Sequence, residues 1–562
     1  MGLEMLEKQG GNAVDAAVST ALCLAVVRPD IASLAGCGTM LVRDRNLQSS
    51  HLFDFMCAAP SSPPQPDPKS VLTLVGIPGF LRGLHKAHIR FGRKNWNELF
   101  AGALHALKSG FRPDPALLNA ARNRKQQSTI PVGPIVDAEL NATYHRLASA
   151  QSSYLFGEAN SMTLLDEEIL LYMKSEGLNW TAADFQNYTV GEPTALEVGF
   201  AGLTVESFPA PASGGPFLLS LLGNLDLINT VRPLNFRALL RKDPEETAIL
   251  LHRLVELSKF AEQSAFGLGD LMDLSLRDKA LKAQNKAFST AEREVIVKAV
   301  NDSHVLPFNV SDYRLHESNL GDTGIVVTDS IRLTVVMNLF LGSPFGSGIL
   351  VPKTGVHLNA AMVLFDQSQK TSNTSQMNTI AAGRRPLFPA APVYISTTHR
   401  KCGIRFGLAT SGGIWGMFDA AQVIASAALF ARGATCHLAS TVNPPGANME
   451  SSQLIATEAI GSKAQSGSST PATDRGCLNM QRSTNLARLH SGILIQSDAN
   501  KTQALFVESL FERPLADQLR RVGHDVRNET GSWPGRAVSA GWNGYDMTTS
   551  LDNRGSWKLQ SY

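Results

Sequence analysis

The stretch Glu317–Met337, ESNLGDTGIVVTDSIRLTVVM, holds two apolar runs between Gly324 and Met337, separated by Thr328-Asp329-Ser330. Turn-forming side chains between two apolar runs predict a β-hairpin. Upstream, residues 12–27 (NAVDAAVSTALCLAVV) combine good helix formers with small residues at i, i+3 and i+4. A helix packed closely on its neighbours is expected there, ended by Arg28-Pro29. In ASLAGCGTMLVRD (32–44), glycines and small residues lead into an apolar strand and predict a close backbone approach. Leu74–Trp96 reads as strand, glycine-proline turn and helix. Helical stretches such as 246–266 alternate with short strands such as Leu196–Val205, and further apolar strands follow at Ile349–Val351 and Gly403–Ala409. That rhythm is α/β.

The chain has 562 residues, 43% of them apolar and 18% charged, enough for a sizeable core. A net charge of +2, with no block of basic residues, gives no field to attract nucleic acid or an anionic membrane. Cys23, Cys37, Cys57, Cys402, Cys436 and Cys477 form no CxxC pair and no Cys/His cluster at zinc-ligand spacing, so no metal site is expected. Sequons at Asn141, Asn179, Asn187, Asn301, Asn309, Asn373, Asn500 and Asn528 suit a secreted glycoprotein surface. The longest apolar stretch, Ala16–Val27, is shorter than the roughly 20 residues of a membrane helix. Gly10-Gly11 stand near the start, so an upstream anchor or leader is expected. Between Thr441 and Ser483 the composition turns to Ser, Thr, Pro, Gly, Asn and Gln and reads as a disordered insertion.

Ten blocks in chain order resemble gamma-glutamyltransferases (glutathione hydrolases). They are Gly10–Ala17, Ser33–Gly38, Asp54–Pro60, Gly76–His88, Pro209–Gly215, Glu317–Asn319, Phe345–Gly348, Gly355–Phe365, Arg384–Leu387 and Gly407–Gly413. The resemblance favours the divergent, membrane-anchored animal branch. It implies an αββα sandwich of the N-terminal-nucleophile hydrolase type, made as a precursor that cleaves itself to free a threonine. Residues 1–320 then resemble the large subunit and 321–562 the small one.

Gamma-glutamyl transfer needs a nucleophile with its own base, an oxyanion hole and a clamp for the α-amino acid end. In the family the threonine stands two residues after Glu-Ser-Asn and five before the first of two valines. Counting from Asn319 and back from Val326 both give Gly321, which has nothing to attack with. Thr323, two residues on, could serve only if the hairpin register slipped. The arginine that grips the α-carboxylate through a bidentate pair corresponds to Met56. The acidic partner of the α-ammonium corresponds to Leu364, and a nearby amide or carboxylate position to Ala361. The serine pair after Arg-Pro-Leu is Phe388-Pro389, and the asparagine three residues before Phe345 is Gly342. Gly412-Gly413 match the oxyanion-hole glycines, where bare backbone amides must face the reacting oxygen. Loss of a nucleophile alone costs about 10⁴ to 10⁶ in rate.

His85 and His88, at i and i+3, lack a nearby third ligand and read as surface or cap residues. Asp15 reads as a backbone-bonding structural residue, and Cys37 as a tolerated small residue. The expectation is a family fold without turnover: a pseudoenzyme acting by binding, or as a heteromer with an active family member. The alternative is an active glutathione hydrolase/gamma-glutamyltransferase in glutathione catabolism, with Thr323 as nucleophile and a glutathione-like small molecule as ligand. Neither reading calls for a cofactor. Both place the chain in the secretory pathway, at the plasma membrane or outside the cell, with membrane attachment only through an N-terminal anchor.

Overall fold

The computed structural model describes residues 1–64, 70–123, 134–150, 162–235, 238–239, 243–307, 320–330, 333–366, 375–397, 403–433, 480–484, 486–495, 501–509, 511–529, 535–542, 547–552 and 554. Glu317–Asn319 and most of the expected insertion at 441–483 lie outside them; residues 480–483 open a short helix, Met480–Thr484.

The helix read at residues 12–27 is α1 (Ala13–Val27), and its start shows why. Asn12 accepts hydrogen bonds from the amides of Val14 and Asp15, while the Asp15 carboxylate accepts from Asn12 N at 2.9 Å, a reciprocal capping box. Asp15 also accepts from the amides of Arg93 and Lys94, tying α1 to the turn after α2 (Phe80–Phe91). Three more helices position the site: α3 (Gly214–Val231), α4 (Pro244–Phe266) and α5 (Gly413–Gly433).

The strands among the described residues are β1 (Cys37–Asp44), β2 (Ser49–Phe55), β3 (Leu196–Phe200), β4 (Leu203–Ser207), β5 (Asp322–Thr328), β6 (Leu333–Phe340), β7 (Leu350–Val351), β8 (Val356–His357), β9 (Val393–Thr397), β10 (Arg405–Ser411), β11 (Leu489–Ile495), β12 (Lys501–Val507), β13 (Val526–Asn528), β14 (Arg536–Trp542) and β15 (Met547–Leu551). The expected hairpin is β5-β6, with Asp322 opposite Phe340 and Thr328 opposite Thr334. Its turn residue Asp329 accepts from Leu333 N at 2.9 Å and from Ala13 N at 3.1 Å, so the same carboxylate closes the hairpin and docks it on α1.

One antiparallel sheet runs β2-β1-β6-β5 and a second runs β15-β14-β10-β9-β4-β3. They stack face to face through Leu41, Leu52, Phe208, Val336, Tyr394 and Ala409. α1 and α2 cover the outer face of the first sheet, burying Val14, Val18, Phe80 and Leu84 against Met40, Ile325 and Met337. α3 and α5 cover the second, burying Leu218, Leu222, Phe418 and Ile424 against Val205, Val393 and Leu408, with α4 packed behind α3. The result is the expected αββα sandwich. β6 is buried along its whole length because it is covered on both faces.

Two local expectations are corrected. Leu196–Val205 is not one strand: Ala201 and Gly202 take φ of +55° and +83° and fold it into the β3-β4 hairpin. Ahead of α2 there is a 3-10 turn, Val71–Leu74, and an isolated bridge from Ile77 to Ala58, because Gly76, Pro78 and Gly79 deny a ladder.

Candidate functional site

Gly321 lies at the entry to β5 with φ +59°, a conformation that favours glycine. Its carbonyl accepts from Leu341 N at 3.1 Å. A Cβ on Gly321 would sit 2.3 Å from the Ser343 carbonyl oxygen and 2.9 Å from that of Asp30. Backbone oxygens therefore leave no space for a Cβ at Gly321.

Thr323 is buried on β5. Its neighbours Asp322 and Gly324 face β10: the Asp322 carboxylate reaches Gly412, and a Cβ on Gly324 would meet Ala409. Successive strand residues face opposite sides. Thr323 therefore shares the other face with Ile325, which packs in the cluster containing α1.

At the end of β10, Gly412 and Gly413 take φ of +97° and +57° and lead into α5. Their amides donate to the same oxygen, Oδ2 of Asp322, at 2.9 and 3.4 Å. Burial pushes the Asp322 carboxyl up to about 6, against the lowering effect of those two bonds. Sequence reading passed over Asp322; the signal was an acidic residue directly after an emptied nucleophile position.

The positions matched to substrate contacts come together, and what they form is apolar. Met56, Ala361, Leu364 and Phe388 pack with Leu320, Phe340, Met362 and Phe365 in one buried cluster, none of these eight more than 3% exposed. Phe388 lies against Phe340 with ring centroids 4.2 Å apart. Pro389 is buried beside it. Gly342 has φ +90°, and a Cβ there would lie 2.4 Å from the Ala360 carbonyl oxygen, so this position too is closed to a side chain. Asn359 stitches the cluster's edge, accepting from Gly76 N and Ala361 N and donating to the carbonyls of Ala35 and Gly76. Cys37, read as a small residue, forms a disulfide with Cys57 inside the cluster.

Arg385, three residues before Phe388, is committed elsewhere. Its guanidinium pairs with Asp54 at 2.8 Å, both buried, and donates to the carbonyls of Asp54 and Thr189. Asp54 in turn accepts from Met56 N. Asp270 accepts from Arg385 N, and its burial pushes its carboxyl up to about 6.

His85 and His88 are buried, not superficial: both rings pack on Trp96, and His88 Nε2 bonds the Lys94 carbonyl at 2.8 Å. One metal-type grouping occurs among the described residues. His252, Glu256 and His524 bring ligand atoms within 4.8 Å of one another. Each is already bonded: His252 Nδ1 to His524 Nε2 at 2.7 Å, His252 Nε2 to the Asn301 carbonyl, and Glu256 to Lys259 Nζ and Leu306 N. The two histidines thus bond each other between α4 and the turn before β13, while Glu256 is held by Lys259 and Leu306.

A sequence profile of the family described as Gamma-glutamyltranspeptidase matches residues 1–556. The chain belongs to the gamma-glutamyltranspeptidase family. Among gamma-glutamyltranspeptidase relatives it is similar to glutathione hydrolase 7 of Bos taurus, 29% identical over 75% of this chain and 64% of that one. The match therefore spans less than two thirds of that relative's length. Glutathione hydrolase proenzyme of Escherichia coli (strain K12) is 26% identical over 70% of each chain. In fold the chain is similar to cephalosporin acylase from Bacillus halodurans, with a TM-score of 0.73, 17% identity and coverage of 100% of this chain and 94% of that one. The two proteins thus share the sandwich fold over nearly their whole lengths.

Proposed function

We propose that this chain is a glutathione hydrolase homologue that neither cleaves itself nor turns over gamma-glutamyl compounds, and that it acts by binding or by pairing with an active relative. The observation that carries this reading is Gly321: no nucleophile stands there, and backbone 2.3 Å from the missing Cβ leaves no room for one. Two others support it. The matched clamp positions, Met56, Ala361, Leu364 and Phe388, are packed together as core. The amides of Gly412 and Gly413 are taken up by Asp322.

Residues 1–320 then correspond to an uncut large-subunit region and 321–562 to a small-subunit region. Passage through the secretory pathway, with glycosylation and an extracellular or membrane-attached destination, is part of the proposal. Exposed asparagines at sequons 179, 187, 301 and 528 and the Cys37–Cys57 disulfide support it. Asn141, in a helix whose Thr143 is buried, is not expected to carry a glycan. No helix among the described residues is long and apolar enough to cross a membrane.

The test is intact-mass analysis of protein secreted from cultured cells, after glycan removal, beside an assay on a gamma-glutamyl anilide. One uncut chain and no turnover are expected. Two chains meeting near Thr323, or turnover abolished by Thr323→Ala, would establish the rival reading of a working hydrolase.

A further inference from the structure

The amides of Gly412 and Gly413 converge on one point, and that point is occupied by Asp322 Oδ2, 2.9 and 3.4 Å away. Successive main-chain N–H groups aimed at one spot make an anion-binding concavity. This one opens the 21-residue helix α5, whose aligned peptides add partial positive charge. The anion in it belongs to the chain itself. Asp322 is anchored by its register opposite Phe340 and follows Gly321, which is wedged against Ser343 and Asp30. The Asp322 backbone is therefore held on both sides. Burial raises the Asp322 carboxyl, and what offsets this is backbone hydrogen bonding, chiefly from the two glycine amides, with no neighbouring charge contributing.

We propose that the Gly412-Gly413 nest is a competent carboxylate-binding site which this chain keeps filled with its own Asp322, so that an external carboxylate enters only when that side chain is removed. The inference deepens the inactivity reading: a hole built to face a developing oxyanion is occupied by a permanent one. It also names the ligand class of the nest once Asp322 is removed, a small carboxylate.

The experiment is chemical rescue of thermal stability with formate, using sodium chloride at equal ionic strength as control. Asp322→Ala is expected to melt several degrees below wild type and to regain about 2 °C in saturating formate, while wild type does not respond. Crystals of the variant grown in formate should show the anion within about 3 Å of both amides. Asp322→Asn, which keeps an acceptor oxygen in the nest, is expected to ignore formate. No rescue of a folded Asp322→Ala, or equal stabilisation of wild type, overturns the proposal. If Asp322→Ala does not fold, a wild-type crystal structure decides: Asp322 turned away from both amides overturns it too. Turnover on a gamma-glutamyl anilide is read separately, so the inactivity reading can fail while the nest's occupancy stands.

Discussion

At Gly321 the obstacle to restoring a nucleophile is backbone, not only a missing hydroxyl. Gly321→Thr puts a β-branched residue at φ +59° with its Cβ 2.3 Å from the Ser343 carbonyl oxygen. The dihedral alone costs about 1–3 kcal/mol, and relieving the overlap costs more. Denaturant melts of Gly321→Thr should show at least that loss, and intact mass should show an uncut chain; a cleaved variant would mean the machinery awaits only its threonine. Met56 carries a similar argument. Met56→Arg recreates the family's cation in a cluster where the nearest carboxylate, Asp54, already pairs with Arg385 at 2.8 Å. An unpaired buried charge costs about 3–5 kcal/mol, whereas Met56→Leu, which conserves volume, costs less than about 1.5 kcal/mol. A Met56→Arg variant as stable as wild type would show that the cluster is not sealed. Each of these positions is matched in the sequence to a family contact. Their joint packing is not legible there, because the partners come from segments hundreds of residues apart, and Asp322 escapes because the family pattern gives its position no role.

Elements whose signals are local read correctly, and those set by a single unfavoured dihedral do not. The β5-β6 hairpin and α1 carry turn, cap and periodicity together within a few residues. The β3-β4 turn rests on Ala201 and Gly202 alone, and alanine at φ +55° leaves no trace in composition. The contact of α4 with the C-terminal segment lay beyond sequence reading, since His252 and His524 are 272 residues apart. That contact makes a pH prediction. Burial lowers both rings, His524 to about 3, with His252, Glu256, Lys259 and Asp302 as the charged or titratable neighbours. An unfolded histidine titrates near 6.5, so as pH falls the unfolded chain takes up the proton first. Stability present above about 6.5 should therefore be lost between 6.5 and about 3. From pH 7 to 5 the His524 ring alone withdraws about 2 kcal/mol. His524→Gln should flatten that slope in urea melts; an unchanged slope would mean the pair is already charged in the fold.

Across the whole molecule, each sheet packs a core against its helix layer, and the positions matched to the family's substrate contacts form a further apolar cluster. The αββα order followed from the resemblance of ordered blocks, since no local pattern dictates how two sheets stack. What the blocks could not reveal is how the closed site is tied down. Cys37 heads β1, Cys57 follows β2 by two residues, and their disulfide, spanning a separation of 20 residues, runs through the cluster that packs Met56, Ala361, Leu364 and Phe388 together. It links the start of β1 to the segment after β2 within that cluster, so removing it should loosen the packing around Met56 before it unfolds the sheets. Closing a loop of this length contributes about 3 kcal/mol in the chain-entropy picture. The double variant Cys37→Ala/Cys57→Ala should lose about that much stability in urea, and hydrogen exchange should show faster opening at residues 56–59 than in β6. Changing these two residues, in place of adding a reductant, leaves Cys23 and the cysteines outside the described residues untouched. A variant as stable as the parent, with unaltered exchange at 56–59, would show that the cluster's apolar packing alone holds the site shut.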